Sequence, residues 1–171
     1  MAFLFFLLII SFQGCLWPFN GAGKSAESLF PVSVEILNES SFKREGAIVF
    51  VPFVAGPDAV AGAEVDRLAL VIVKSAADAL AYSPSTLRIS TEEDLSGAVY
   101  VLDGRIEEFR LPSGLALTRK NGVLRIKGEL RRQDTGEVMA LISGWKSFRK
   151  TQEVPQVASE IGQGIAEGLL R

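Results

Sequence analysis

Apolar residues open the chain without a break. Residues Ala2 to Ile10 read AFLFFLLII, and the run ends in Phe12-Gln13-Gly14-Cys15. Even with Ser11 and Phe12 it has only about half of the roughly 20 residues that a helix needs to cross a bilayer. Its length suits the apolar region of a secretory signal peptide, and it has no polar face of the kind a surface element of a small domain shows. Leu16 to Ser28 is rich in Gly, Ala, Ser, Asn and Pro and reads as a flexible tether.

Beyond the tether the pattern alternates between two periods. Pro31 to Leu37 sets Val32, Val34 and Ile36 against Ser33 and Glu35, a half-buried strand. Gly46 to Val54, GAIVFVPFV, is apolar on both faces and reads as a covered strand whose pairing Pro52 ends or places at an edge. Gly56-Pro57-Asp58 reads as a turn, with Asp58 as a helix N-cap. From Ala59 to Tyr82 the spacing is helical, with Val65, Leu68, Ile72, Ala76 and Leu80 on one side. Glu64, Arg67, Lys74 and Asp78 take the other. Ser83-Pro84 stops it. Leu87 and Ile89 mark a short strand, and Glu92-Glu93-Asp94 an acidic loop.

Three longer strands follow. In Ala98 to Leu111, Tyr100, Leu102 and Ile106 share a face. Asn121-Gly122 reads as a turn. In Val123 to Arg132, Leu124, Ile126 and Leu130 point one way and Arg125, Lys127, Glu129 and Arg131 the other. Asp134-Thr135-Gly136 closes a hairpin, and Val138 to Phe148 returns with Met139, Leu141 and Trp145 on one face, Trp145 in the core. Val154 to Leu170 is a second helix, with Pro155 in its first turn and Val157, Ile161, Ile165 and Leu169 as its stripe. Its glycines, Gly162, Gly164 and Gly168, weaken it in isolation or let it approach a neighbour closely. The order of elements predicts an α/β fold in two layers. A mixed β-sheet, largely antiparallel in its C-terminal half, carries two helices packed against it.

Composition narrows the chemistry. The chain has 171 residues, no His and one Cys. Ser-His-Asp and Cys-His catalysis, His-ligated metals and intramolecular disulfides are thereby excluded. The triplet Asp134-Thr135-Gly136 matches an aspartic-protease signature but sits between alternating strands, where turn residues belong. Gly21-Ala22-Gly23-Lys24-Ser25 ends like a phosphate-binding loop, but Pro18 stands where its first Gly is needed. No cofactor, metal or catalytic residue is expected, and the chain reads as a non-enzyme. The net charge of -2 hides an asymmetry. Ser25 to Gly104 has 5 basic and 12 acidic residues, whereas Arg105 to Lys150 has 11 basic and 5 acidic. Arg125, Lys127 and Arg131 are therefore the candidate interaction face, for anionic lipid, lipopolysaccharide or an acidic partner. The same face also reads as solvated strands with cross-strand ion pairs. Nucleic acid is not expected, because the basic strands lack interleaved aromatics. Trp17, in the tether, suits a membrane interface.

Two resemblances add to this. The run ending in Gly14-Cys15 resembles the signal of bacterial lipoproteins, in which the Cys becomes the first residue of the mature chain and carries the lipid. Two departures are the missing basic residues before the run and Phe12 where that family usually has Leu. A signal peptide without lipid, a signal anchor and a buried N-terminal element are the other readings of this run. The lipoprotein reading implies a signal peptide over 1-14, lipidation of Cys15, a tether over 15-28 and one periplasmic domain over 29-171. Leu16, where an Asp would imply inner-membrane retention, favours the outer membrane.

The second resemblance is to envelope lipoproteins whose domain is similar to the N-terminal domain of TolB. They include the curli-secretion lipoprotein and the activators of penicillin-binding proteins. It rests on the segment at Cys15, IVFVPF at Ile48 to Phe53, YVLDGRIEEF at Tyr100 to Phe109 and LRRQDTGEVMA at Leu130 to Ala140. It implies a lipid-anchored, non-enzymatic adaptor or assembly accessory with an envelope protein partner. The alternative is an oligomeric subunit of an envelope transport or secretion complex. A homo-oligomer is compatible with both.

Overall fold

A computed structural model describes residues 31–59, 62–90, 97–115 and 120–171. Cys15, Trp17 and the segments read as signal peptide and tether lie outside the described residues, as does the acidic loop at Glu92 to Asp94. The strands are β1 (Val32–Ile36), β2 (Glu45–Phe50), β3 (Val54–Ala59), β4 (Thr86–Ser90), β5 (Ala98–Arg110), β6 (Gly122–Arg132) and β7 (Val138–Phe148). The helices are α1 (Ala63–Ala81) and α2 (Val154–Leu170). One sheet runs β1-β7-β6-β5-β2-β4, and β3 pairs with β5 beyond the end of β2. Along β5, β6, β7 and β1 each strand is antiparallel to the next, whereas β2 and β3 lie parallel to β5 and β4 parallel to β2. Both helices pack on one face of this mixed sheet, as the patterning predicts.

The core is the apolar face of each element. Val65, Leu68, Ile72, Ala76 and Leu80 of α1 are buried, as are Val157, Ile161, Ile165 and Leu169 of α2. They meet Tyr100, Leu102, Ile106, Leu124, Ile126 and Leu130 from the central strands. Each such aliphatic side chain contributes roughly 1.5–3 kcal/mol by leaving water. Small residues let the layers close. A methyl group on Gly162 would lie 2.3 Å from the Ile72 carbonyl oxygen and 3.0 Å from the Ala76 nitrogen. Here α2 therefore touches the backbone of α1, and Ser75 and Ser159 join the helices by a 3.0 Å hydroxyl hydrogen bond.

β2 and β3 follow one another along the same side of β5, broken at Val51 to Phe53. Val51 N–H still donates to the Leu102 carbonyl at 2.8 Å. Pro52 has no N–H to continue the ladder. Phe53 then turns into the core beside Phe50, with ring centroids 5.1 Å apart. Its ring lies over Gly104 and Gly128, which face each other across β5 and β6.

Three local expectations are corrected. Gly56-Pro57-Asp58 is not a turn. It belongs to β3, where a bulge between Ala55 and Asp58 absorbs the proline and Gly56 lies against the β5 backbone. The helix starts later as a result, at Ala63 with Gly62 as its N-cap. Gly122 is the first residue of β6, opposite Phe148, and not a turn residue. A methyl group there would lie 2.3 Å from the Phe148 ring. In β7 the faces are assigned otherwise than the apolar spacing predicts. Ala140, Ile142, Gly144 and Phe148 face the helices, Met139 is buried at a bulge, and Leu141 and Trp145 face away.

Candidate interaction surface

With both helices on one side, the other face of the sheet carries no second layer among the described residues. β6 contributes Arg125, Lys127, Glu129 and Arg131 to it. Asp103 and Arg105 face them from β5, and Leu141, Ser143 and Trp145 from β7. β1 adds Ser33 and Glu35. Strand alternation puts these residues here, because their neighbours in sequence are the buried ones. A shallow open depression of ≈ 670 Å³ crosses this face, floored by the Gly104–Gly128 pair and bordered by Glu35, Val51, Asp103, Lys127 and Leu141.

The three basic residues singled out from the sequence come together on this face, and each has a carboxylate partner. Lys127 Nζ lies 3.0 Å from Glu107, which also pairs with Arg105 at 2.9 Å. Arg131 pairs with Asp103 at 3.7 Å and with Glu129. Arg125 lies 3.8 Å from Glu108. Such exposed pairs contribute about 0–1 kcal/mol each. Their larger consequence is electrostatic, since the face presents matched charges and not a positive sheet. The Lys127 ammonium beside Glu107 holds its carboxyl below the ordinary range. Partial burial opposes this and Arg105 adds to it. Glu153 is lowered as well, chiefly by the N–H of Arg149 and against some desolvation, with the N–H of Lys150 also contributing.

The apolar spacing places Trp145 in the core, whereas the structure puts it on this open face, 52% exposed. The cause is Gly144. Facing inward, it leaves room for Ile126, whose Cγ1 would be 2.9 Å from a methyl group there. Trp145, the next residue, therefore points outward opposite Arg125. Leu141 on the same strand and Val51 and Val54 at the break between β2 and β3 are also exposed. Alternation alone cannot choose the face of β7, because both of its faces carry apolar residues. The inward glycine is the signal that chooses it. Among the described residues, no three His, Cys, Asp or Glu side chains cluster as metal ligands. No described helix is long and apolar enough to cross a membrane.

No family model and no curated protein matches this sequence. Solved structures do share the fold. The PelC dodecamer from Paraburkholderia phytofirmans is 19% identical, with a TM-score of 0.58 over 81% of this chain and 96% of that one. A protein described only as uncharacterized is 13% identical, with a TM-score of 0.51 over 71% of this chain and 90% of that one. A lipoprotein from Neisseria meningitidis is 14% identical, with a TM-score of 0.43 over 71% of this chain and 98% of that one. For the first two the likeness is one of fold alone.

Proposed function

We propose that this chain is a lipid-anchored protein of the bacterial envelope, a non-enzymatic assembly accessory that works as a set of identical subunits. The observation that carries this reading is the open sheet face. It exposes Trp145 and Leu141 beside charges that are already neutralised by their own neighbours. Exposed aromatic and aliphatic groups with little net field suit contact with protein, because aromatic anchors dominate interface energies and unmatched charge is depleted from interface centres. A second copy of the same face meets no like-charge barrier. PelC, whose fold is similar, is a dodecamer. That supports the subunit-of-a-complex reading over a monomeric adaptor. The TolB-like resemblance belongs to the same proposal.

Anchoring is assigned to Cys15, with 1-14 removed and the outer membrane as destination. The test is acyl labelling in a Gram-negative host, with wild type beside Cys15→Ala. Label on wild type alone, on a chain that starts at Cys15, supports the anchor. An unlabelled wild type that keeps Met1 to Gly14 refutes it. Cross-linking in intact membranes tests the assembly. A ladder of multiples that collapses in Trp145→Glu supports it, and an unchanged single band refutes it.

A further inference from the structure

Pro31 enters the sheet at one particular end. β1 runs antiparallel to β7 with Val32 opposite Gly144, and Trp145 N–H donates to the Pro31 carbonyl at 3.0 Å. The chain therefore joins the domain where β7 finishes. The end of β5 and the start of β6 lie there too, since Val123 is opposite Arg110 and Gly122 opposite Phe148. Ser113 and Lys120 are joined there by two backbone hydrogen bonds of 3.1 and 2.8 Å. The segment between them presents Leu115, 84% exposed, and Leu111 before it is exposed as well. Arg149 and Lys150, just past β7, line a cavity of ≈ 240 Å³ with Pro112, Ser113 and Gly114. Three cations and two leucines thus meet at one end.

The acids close by are each engaged, Glu153 by Arg149 and Lys150 themselves, so that one carboxylate stands against the three cations. Glu108 lies between Arg110 and Arg125. The Glu153 carboxylate accepts the backbone N–H groups of Arg149 and Lys150 at 2.9 and 3.4 Å. Glu64 and Asp66, in the first turn of α1, stand at this end on the far side of β5, where α1 packs on β3.

We propose that this end of the sheet rests on the headgroups of an anionic phospholipid bilayer. Lys120, Arg149 and Lys150 face the phosphates, and Leu115 and Leu111 reach the interface between them. The proposal rests on the lipid anchor at Cys15. Residues 16–30 separate that anchor from Pro31 and span about 50 Å at most when fully extended. The tether therefore leaves the domain from the end that carries these cations. Charges act on an anionic surface within a Debye length of about 10 Å, and an acyl anchor combined with a basic patch holds better than one acyl chain alone.

The test is hydrogen exchange on the full chain purified from a Gram-negative host and reconstituted into vesicles. One set of vesicles is phosphatidylcholine alone, and the other also contains phosphatidylglycerol. Exchange at 110–115 and 148–153 is expected to slow several-fold with phosphatidylglycerol only, and high salt should restore it. Lys120→Gln/Arg149→Gln/Lys150→Gln should abolish the protection while exchange in α1 reports an intact fold. Lys43→Gln/Arg67→Gln/Lys74→Gln removes equal charge elsewhere and should keep the protection. Equal exchange in both vesicles overturns the proposal. So does a triple variant that stays protected, or a charge-matched control that loses protection to the same degree. The intact mass of the same sample reports acylation, so failure of the anchor and failure of the surface are read separately.

Discussion

Gly104 and Gly128 face each other across β5 and β6 because the Phe53 ring occupies the space their side chains would fill. A methyl group on Gly104 would lie 2.3 Å from Phe53 Cε1 and 2.5 Å from the Lys127 carbonyl oxygen. Gly104→Ala is expected to destabilise the domain by about 2 kcal/mol through overpacking. Denaturant midpoints check this, and the cost should shrink in a Phe53→Leu background, as coupled neighbours require. Glu107 makes a pH prediction. Its carboxyl is lowered in the fold from an ordinary value of 4.5. Its contribution is complete above the unfolded value and disappears as pH falls through the folded one. Stability should therefore drop below about pH 4.5, and Glu107→Gln should flatten that limb. The effect should stay under about 1 kcal/mol, because Lys127 is 58% exposed and solvent screens the pair. Thermal melts across the acid range measure it. Neither the glycine notch nor the Glu107 cluster is visible in sequence, since each depends on the register of two strands.

At the scale of elements, the helices and the central strands were legible because their periods are clean. Leu124, Ile126 and Leu130 alternate with charges in β6, and the stripes of α1 and α2 recur every three or four residues. Legibility failed where backbone irregularities shift the phase. The β3 bulge makes a strand of Gly56-Pro57-Asp58, and the bulge at Met139 buries two successive residues of β7. That local shift, together with the inward Gly144, is why Trp145 lies on the open face. Of the candidate site, the cations of β6 were legible and their carboxylate partners on β5 were not, because partners need register. The contact of α2 on α1 yields the element-scale test. Gly162→Ala would press a methyl group onto the Ile72 carbonyl, which cannot rotate away. It is expected to cost about 2–3 kcal/mol and lower the midpoint clearly. Gly136→Ala, in open space at a positive φ of 71°, should cost only about 1 kcal/mol.

At the scale of the whole molecule, the described residues form a two-layer domain with one face of the sheet left open. Helices cover one face, matched ion pairs and an outward Trp145 occupy the other, and the chain enters at a cationic end. In the proposed assembly of identical subunits, Trp145 lies at the contact. Trp145 is 52% exposed, so Trp145→Glu should cost the subunit no more than about 2–3 kcal/mol and leave it folded by circular dichroism while dissociating the particle. The most direct measurement is the native mass of the full chain extracted from Gram-negative membranes in mild detergent. A particle that is a fixed multiple of the subunit mass, and that falls to single subunits in Trp145→Glu, is the expected result. Single subunits at every concentration of the wild-type protein would contradict self-assembly through the open face.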